Sequence, residues 1–207
     1  MNYYSLRGYG VAALDFPPFG KSPEPSECWS LKDYTALTLS VMDSLGIDKA
    51  VIVGHSFGGR VAIDIAAKTD RAEKLVLVSA AGLTPKRGLK YKLRQRRFLR
   101  NRKKGRDVTA YYSSDYLAMP ERLRGVFSRI VSEDLSDRLP LVRCPTLVVY
   151  GSHDTETPPY MAKRMYKEIK DSRIVRLEGG HFAYAERHTA FMTALDNFLQ
   201  ENNGSST

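Results

Sequence analysis

Cysteine is scarce, with Cys28 and Cys144 the only two in 207 residues. Two separated thiols suggest neither a disulfide framework nor a metal site, and they fit a reducing compartment such as the cytoplasm. No apolar run approaches the ~20 residues that a bilayer-spanning helix needs. The opening residues, Met1-Asn2-Tyr3-Tyr4-Ser5-Leu6-Arg7, lack the apolar core of a signal peptide. There is no internal repeat. Acidic residues are missing altogether between Lys86 and Arg106, although the chain as a whole is not poor in them.

What remains is the composition of one globular domain, 43% hydrophobic and 27% charged, long enough to bury a sizeable core. Residues 10–14 (GVAAL) read as a short buried strand ending at Asp15, followed by a turn-rich loop over 16–22. Ser30 has the character of a helix N-cap, with Asp33 at the capping-box position. Leu31, Tyr34, Leu37, Val41 and Leu45 follow at helical spacing, and Gly46 ends the run. Further strands are expected at 50–53, 74–78, 146–150 and 173–177. Helices are expected after 56, over 160–169, and at a last segment carrying Phe191, Leu195 and Phe198. Strand alternating with helix indicates an α/β fold with a parallel sheet. The stretch 82–141 interrupts the alternation. Within it Leu123, Val126, Phe127 and Ile130 make an apolar helical stripe.

The segment Gly54-His55-Ser56-Phe57-Gly58-Gly59 sits between an expected strand and an expected helix. A serine flanked by glycines two residues away on either side, at such a junction, fits a tight turn that exposes the hydroxyl above the sheet. Gly54 and Gly58 are expected to be the positions where a Cβ would collide with strand or helix. The helix beginning after Ser56 aims backbone N–H groups and a positive dipole end at developing negative charge.

Three blocks, the Ser56 segment, Pro145-Thr146-Leu147-Val148-Val149-Tyr150-Gly151-Ser152-His153-Asp154, and Glu178-Gly179-Gly180-His181-Phe182, resemble the signature blocks of the alpha/beta-hydrolase family. They stand in that family's order of nucleophile, acid and base. The resemblance is to the branch of cofactor-free esterases, carbon–carbon bond hydrolases and related small-molecule hydrolases. It implies a mostly parallel sheet with helices on both faces and a helical cap insertion. It places core at 1–81 and 142–200, the cap at 82–141, and a polar, disordered tail at 201–207. In that family further strands precede the one matched at 10–14, and a loop, often His-Gly, supplies a second oxyanion donor. Neither is found here, so the resemblance implies an N-terminally shortened core, as a fragment, a mis-started reading frame or a shortened variant. The strands at 10–14 and 51–53 are then expected to pair directly or to leave exposed edges, with poor activity and a tendency to associate.

By this resemblance Ser56 is the nucleophile, His181 the general base and Asp154 the acid that orients it, with the Phe57 backbone N–H as one oxyanion donor. The residue types suit those tasks. A serine hydroxyl needs a base to take its proton, and an ordinary imidazole titrates near ~6.5. A carboxylate beside it holds the tautomer and stabilises the imidazolium. His55, His153 and His188 compete for the base. His55 reads as a packing residue, His153 as pointing away from the site, and His188 as a surface residue of the last helix. Glu156 and Asp134 compete for the acid. No cofactor and no metal are implied, and the partner is a small-molecule substrate. The Ser at the elbow argues against dehalogenase chemistry, which in this family uses an aspartate there.

The net charge of +9 is local. The block Lys86 to Arg106 holds twelve basic residues, which leaves the rest of the chain at −3. Tyr91, Leu93, Phe98 and Leu99 are interleaved, so part of the block has the makings of an amphipathic helix. A solvated cap face and weak contact with anionic membranes or other polyanions both fit, and no specific nucleic acid is implied. Two functions stand side by side. One is a serine hydrolase of small esters or related acyl compounds. The other is a catalytically impaired fragment or binding module whose basic cap is the working surface. Neither the substrate nor the oligomeric state is written in the sequence.

Overall fold

The structure, a computed structural model, describes residues 2–27, 29–84, 88–112, 116–117 and 120–201. Four strands form one parallel sheet in chain order: β1 (Ala50–His55), β2 (Ala72–Val78), β3 (Thr146–Gly151) and β4 (Ser172–Leu177). The central strands are buried on both faces. Leu75, Leu77, Val148 and Tyr150 join one apolar cluster, and Val76, Val78, Leu147 and Val149 join the other. This two-sided burial is why these strands read as continuous apolar runs rather than as an alternation.

The helices are α1 (Asn2–Ser5), α2 (Leu31–Ser44), α3 (Phe57–Lys68), α4 (Leu89–Lys103), α5 (Glu121–Ser132), α6 (Pro159–Glu168), α7 (Ala183–Glu186) and α8 (His188–Gln200). Val61 and Ile65 of α3 and Met161 and Met165 of α6 cover one face of the sheet. Leu195 and Phe198 of α8 cover the other. At the start of α2 the Ser30 N–H donates to the Asp33 carboxylate at 2.7 Å, as the local pattern predicts. Leu45 departs from the expected apolar stripe. It lies just past the last turn and is 57% exposed, and Met42 is buried instead.

Residues 10–14, expected to be a strand ending at Asp15, form none. The run is short and made largely of small side chains. A strand needs a neighbour for its N–H and C=O groups, and among the described residues none pairs with it. Val11 is 39% exposed. The outer side of β1 also has no strand beside it among the described residues, and Val53 is 53% exposed there. Of the two outcomes expected for these segments, direct pairing does not occur.

Between β2 and β3 the described residues include α4, α5 and two short 3-10 turns. Leu123, Phe127 and Ile130 of α5 are buried in the core cluster with Phe57; the Val126 side chain lies outside the described residues. A polar latch ties the end of α5 to α3. Arg60, 1% exposed, donates to the carbonyl oxygens of Val131 and Glu133. Burial pulls the Arg60 guanidinium down to about 10. One turn further along α3, Asp64 meets Arg138 at 2.6 Å. The two ends of the insertion close on each other where the Leu135 N–H donates to the Gly82 carbonyl at 2.7 Å. From β2, the buried Lys74 ammonium donates to the carbonyls of Phe198, Leu199 and Glu201 and so caps the end of α8. Among the described residues no helix is long and apolar enough to cross a membrane. The disorder expected for the tail concerns residues that, from 202 onward, lie outside the described ones.

Candidate active site

In a parallel sheet all carboxyl ends lie along one edge, and the loops leaving them gather there. β1 ends at His55, and Ser56 turns the chain into α3. Ser56 has φ 49° and ψ −116°, a combination that costs a non-glycine residue free energy unless its surroundings enforce it. They do. The Ser56 N–H donates to the Val78 carbonyl at 3.2 Å, and the Ser56 carbonyl accepts from Gly59 N at 3.0 Å and Ala81 N at 2.9 Å.

The glycines confirm the tightness of the turn and correct one assignment. A Cβ on Gly54 would lie 2.5 Å from the Gly58 carbonyl oxygen, and one on Gly59 would lie 2.4 Å from the Ala80 Cβ. Gly58, expected to be the second constrained glycine, has only the Phe16 ring at 3.9 Å. The close approaches fall where β1 passes the first turn of α3 and where α3 meets the chain leaving β2. Gly58 itself faces the aromatic loop.

Phe57 is the first residue of α3, a position whose N–H has no intrahelical acceptor. Its side chain is buried against the rings of Tyr34, Phe127 and Phe16, at 5.0, 5.6 and 6.0 Å between centroids. The α2 helix, α5 and the loop after residue 15 therefore build one apolar wall beside Ser56.

Asp154 and His181 come from the loops after β3 and β4. His181 Nδ1 lies 2.9 Å from Asp154 Oδ2, and both side chains are almost fully buried. The other carboxylate oxygen accepts from the N–H groups of Glu156 and Thr157, each at 2.9 Å. The Thr157 hydroxyl lies 2.7 Å from Oδ2 and 3.0 Å from the Ser79 carbonyl. Burial alone would raise the Asp154 carboxyl, but the hydrogen bonds from His181 and Thr157 outweigh it and hold the group at about 2. The carboxylate is held on both oxygens and suited to accept from Nδ1–H of His181.

His55 touches His181 directly. The rings are 4.9 Å apart, and His55 Nε2 lies 3.2 Å from the His181 carbonyl oxygen. It is a packing residue, as expected, with an added bond to the loop that carries His181. His153 points outward, 72% exposed, with Glu178 as its neighbour at 3.5 Å. His188 opens α8 at the surface. Among the competing acids, Asp134 accepts from the Thr84 and Ser136 N–H groups inside the 82–141 segment. Glu156 reaches the site from another side, with its carboxylate 3.9 Å from His181 Nε2.

Sequence reasoning missed Thr157, which fastens Asp154, and Gly151, which lets the two loops meet. Its only available signal for Thr157 was a hydroxyl residue three positions after an aspartate, a common local pattern. Among the described residues no group of three or more His, Cys, Asp or Glu side chains could hold a metal ion.

A sequence model of the alpha/beta hydrolase family matches residues 2–194. The AB hydrolase superfamily protein YisY of Bacillus subtilis is 27% identical, over 96% of this chain and 84% of that protein. A 2-hydroxy-6-oxononadienedioate/2-hydroxy-6-oxononatrienedioate hydrolase of Klebsiella pneumoniae is 29% identical, over 93% of this chain and 77% of that protein. Among solved structures, the enol-lactonase from Burkholderia xenovorans superposes with a TM-score of 0.66 at 26% identity, covering 88% of this chain and 77% of that one.

Proposed function

The chain belongs to the alpha/beta hydrolase family, and from that premise we propose that it is a serine hydrolase of small esters and related acyl compounds. One observation carries the reading. The buried Asp154–His181 pair, 2.9 Å apart, stands beside an elbow that holds Ser56 in a strained conformation. Ser56 Oγ attacks the substrate carbonyl as His181 Nε2 takes its proton, and the Asp154 carboxylate stabilises the imidazolium through Nδ1–H. The Phe57 N–H and the N-terminal end of α3 face the oxyanion. His181 then gives its proton to the departing alcohol, and water releases the acyl group by the same steps in reverse.

A second substrate class enters by analogy, since the Klebsiella relative is named for hydrolysis of dicarboxylates. Glu156 favours the ester reading. A carboxylate 3.9 Å from the reacting nitrogen of His181 repels a substrate carboxylate brought to the same place. Neutral acyl esters carry no such penalty.

The test is labelling with an alkyl fluorophosphonate, followed by hydrolysis of neutral and carboxylate-bearing nitrophenyl esters. Ser56 should be labelled, the label should vanish in Ser56→Ala, and neutral esters should turn over faster. Equal labelling of both proteins would remove Ser56 from the role. No labelling of either would favour a binding module over an enzyme.

A further inference from the structure

The basic block plays no part in the hydrolase reading. The structure turns most of it into α4 and leaves its charge uncompensated. Every described basic side chain from Lys92 to Arg106 is exposed, and none of them forms an ion pair. The described contacts of α4 with the segment that follows it lie on one side. Phe98 packs edge-on against Tyr111 and Tyr112 at 5.5 and 5.9 Å, the Asn101 amide donates to the Tyr111 hydroxyl at 3.3 Å, and Arg94 lies over the Tyr111 ring.

At about 100° per residue, Lys92, Arg96, Arg100 and Lys103 fall on one stripe on the opposite side. Leu93 and Leu99, each 54% exposed, flank that stripe. Like charges four residues apart weaken a helix, and an anionic surface laid along the stripe would relieve that repulsion.

We propose that this face of α4 docks on an anionic phospholipid surface. The lipid head groups meet Lys92, Arg96, Arg100 and Lys103, and Leu93 and Leu99 enter the boundary between head groups and acyl chains. Charge complementarity identifies the partner as an anion carrier, since the excess sits in this block and the rest of the chain is negative. The two leucines decide between lipid and nucleic acid. A phosphodiester backbone would satisfy the cations and leave both leucines in water, whereas a lipid boundary accepts them. No residue of the Ser56–His181–Asp154 cluster takes part, so the proposal stands apart from the hydrolase reading.

The experiment is sedimentation of the full chain with phosphatidylcholine vesicles, with and without about a third phosphatidylserine. Heparin and a DNA duplex serve as competing polyanions. Binding should need the anionic lipid, weaken steeply as salt rises, and be unchanged in Ser56→Ala. Replacing Lys92, Arg96, Arg100 and Lys103 with Gln should weaken the partition at least ~tenfold. Leu93→Ala with Leu99→Ala should weaken vesicle binding several-fold and leave heparin retention unaltered. Equal binding to neutral and anionic vesicles, or none to either, would overturn the proposal. So would duplex binding tighter than vesicle binding and indifferent to the leucines, which would assign the face to nucleic acid.

Discussion

A Cβ added to Gly151 would lie 2.0 Å from the carbonyl oxygen of Gly180. The end of β3 and the loop after β4 therefore meet backbone to backbone. Asp154 follows shortly after the first glycine and His181 directly after the second, so this contact, with the bonds from Ser152 N–H to the Leu177 carbonyl and from His153 N–H to the Gly179 carbonyl, joins the segments that carry them.

Gly151→Ala forces the two segments apart, because both colliding groups are main chain. Ester hydrolysis should fall by roughly a hundredfold, since small misplacements of catalytic groups have effects of that size. Steady-state kinetics and a thermal melt of the variant check this. A parental kcat/KM would show that the glycine contact does not position His181.

The histidines separate cleanly in their surroundings, and their variants should do the same. His181→Ala should lower turnover by several orders of magnitude, and Asp154→Asn should be nearly as severe because the imidazole tautomer is no longer held. His153→Ala, at a side chain 72% exposed, and His188→Ala should stay within a few-fold of the parent. Near-normal turnover in His181→Ala would remove it as the base.

Asp154 should also make stability depend on pH. Its carboxyl is held at about 2 against an ordinary value of 3.8. A carboxyl depressed by folding stabilises the native state above its unfolded pKa, and that stabilisation is lost as pH falls through the folded value. The loss falls between about pH 4 and pH 2 and amounts to about 2 kcal/mol. Urea denaturation across this range should show Asp154→Asn starting less stable and declining less steeply. Parallel curves for the two proteins would place the effect elsewhere.

Arg60 is the link between α3 and the end of α5. Arg60→Met would leave the carbonyls of Val131 and Glu133 without their donors. The expected cost is about 2–4 kcal/mol in chemical denaturation. Because α5 also carries Phe127 against Phe57, KM for long acyl esters should rise more than KM for acetate esters. Equal rises for both would mean that the latch supports the fold without shaping the acyl wall.

The sequence by itself determined the elements whose signal is local. The apolar runs at β2 and β3 named themselves as buried parallel strands because their neighbours cover both faces. Ser30 and Asp33 fixed the start of α2, and the glycine-flanked Ser56 fixed the elbow. The three blocks, through their resemblance to those of the alpha/beta-hydrolase family, marked Ser56, Asp154 and His181 as candidates. Tertiary structure decided what depends on a partner distant in the chain. Residues 10–14 form a short apolar run, but among the described residues no strand lies beside them, so they stay irregular. Gly59 rather than Gly58 joins Gly54 as a constrained glycine because of Ala80, which only the packing of α3 brings near. Gly151 matters through Gly180, across loops that residue spacing cannot align, and Thr157 matters because the fold buries its hydroxyl between Asp154 and the Ser79 carbonyl. Glu156 reaches His181 from a turn whose direction is set by Asp154 binding two backbone N–H groups. Periodicity and turn chemistry are properties of neighbouring residues, whereas burial, charge pairing and close approach arise only when separate segments fill the same space.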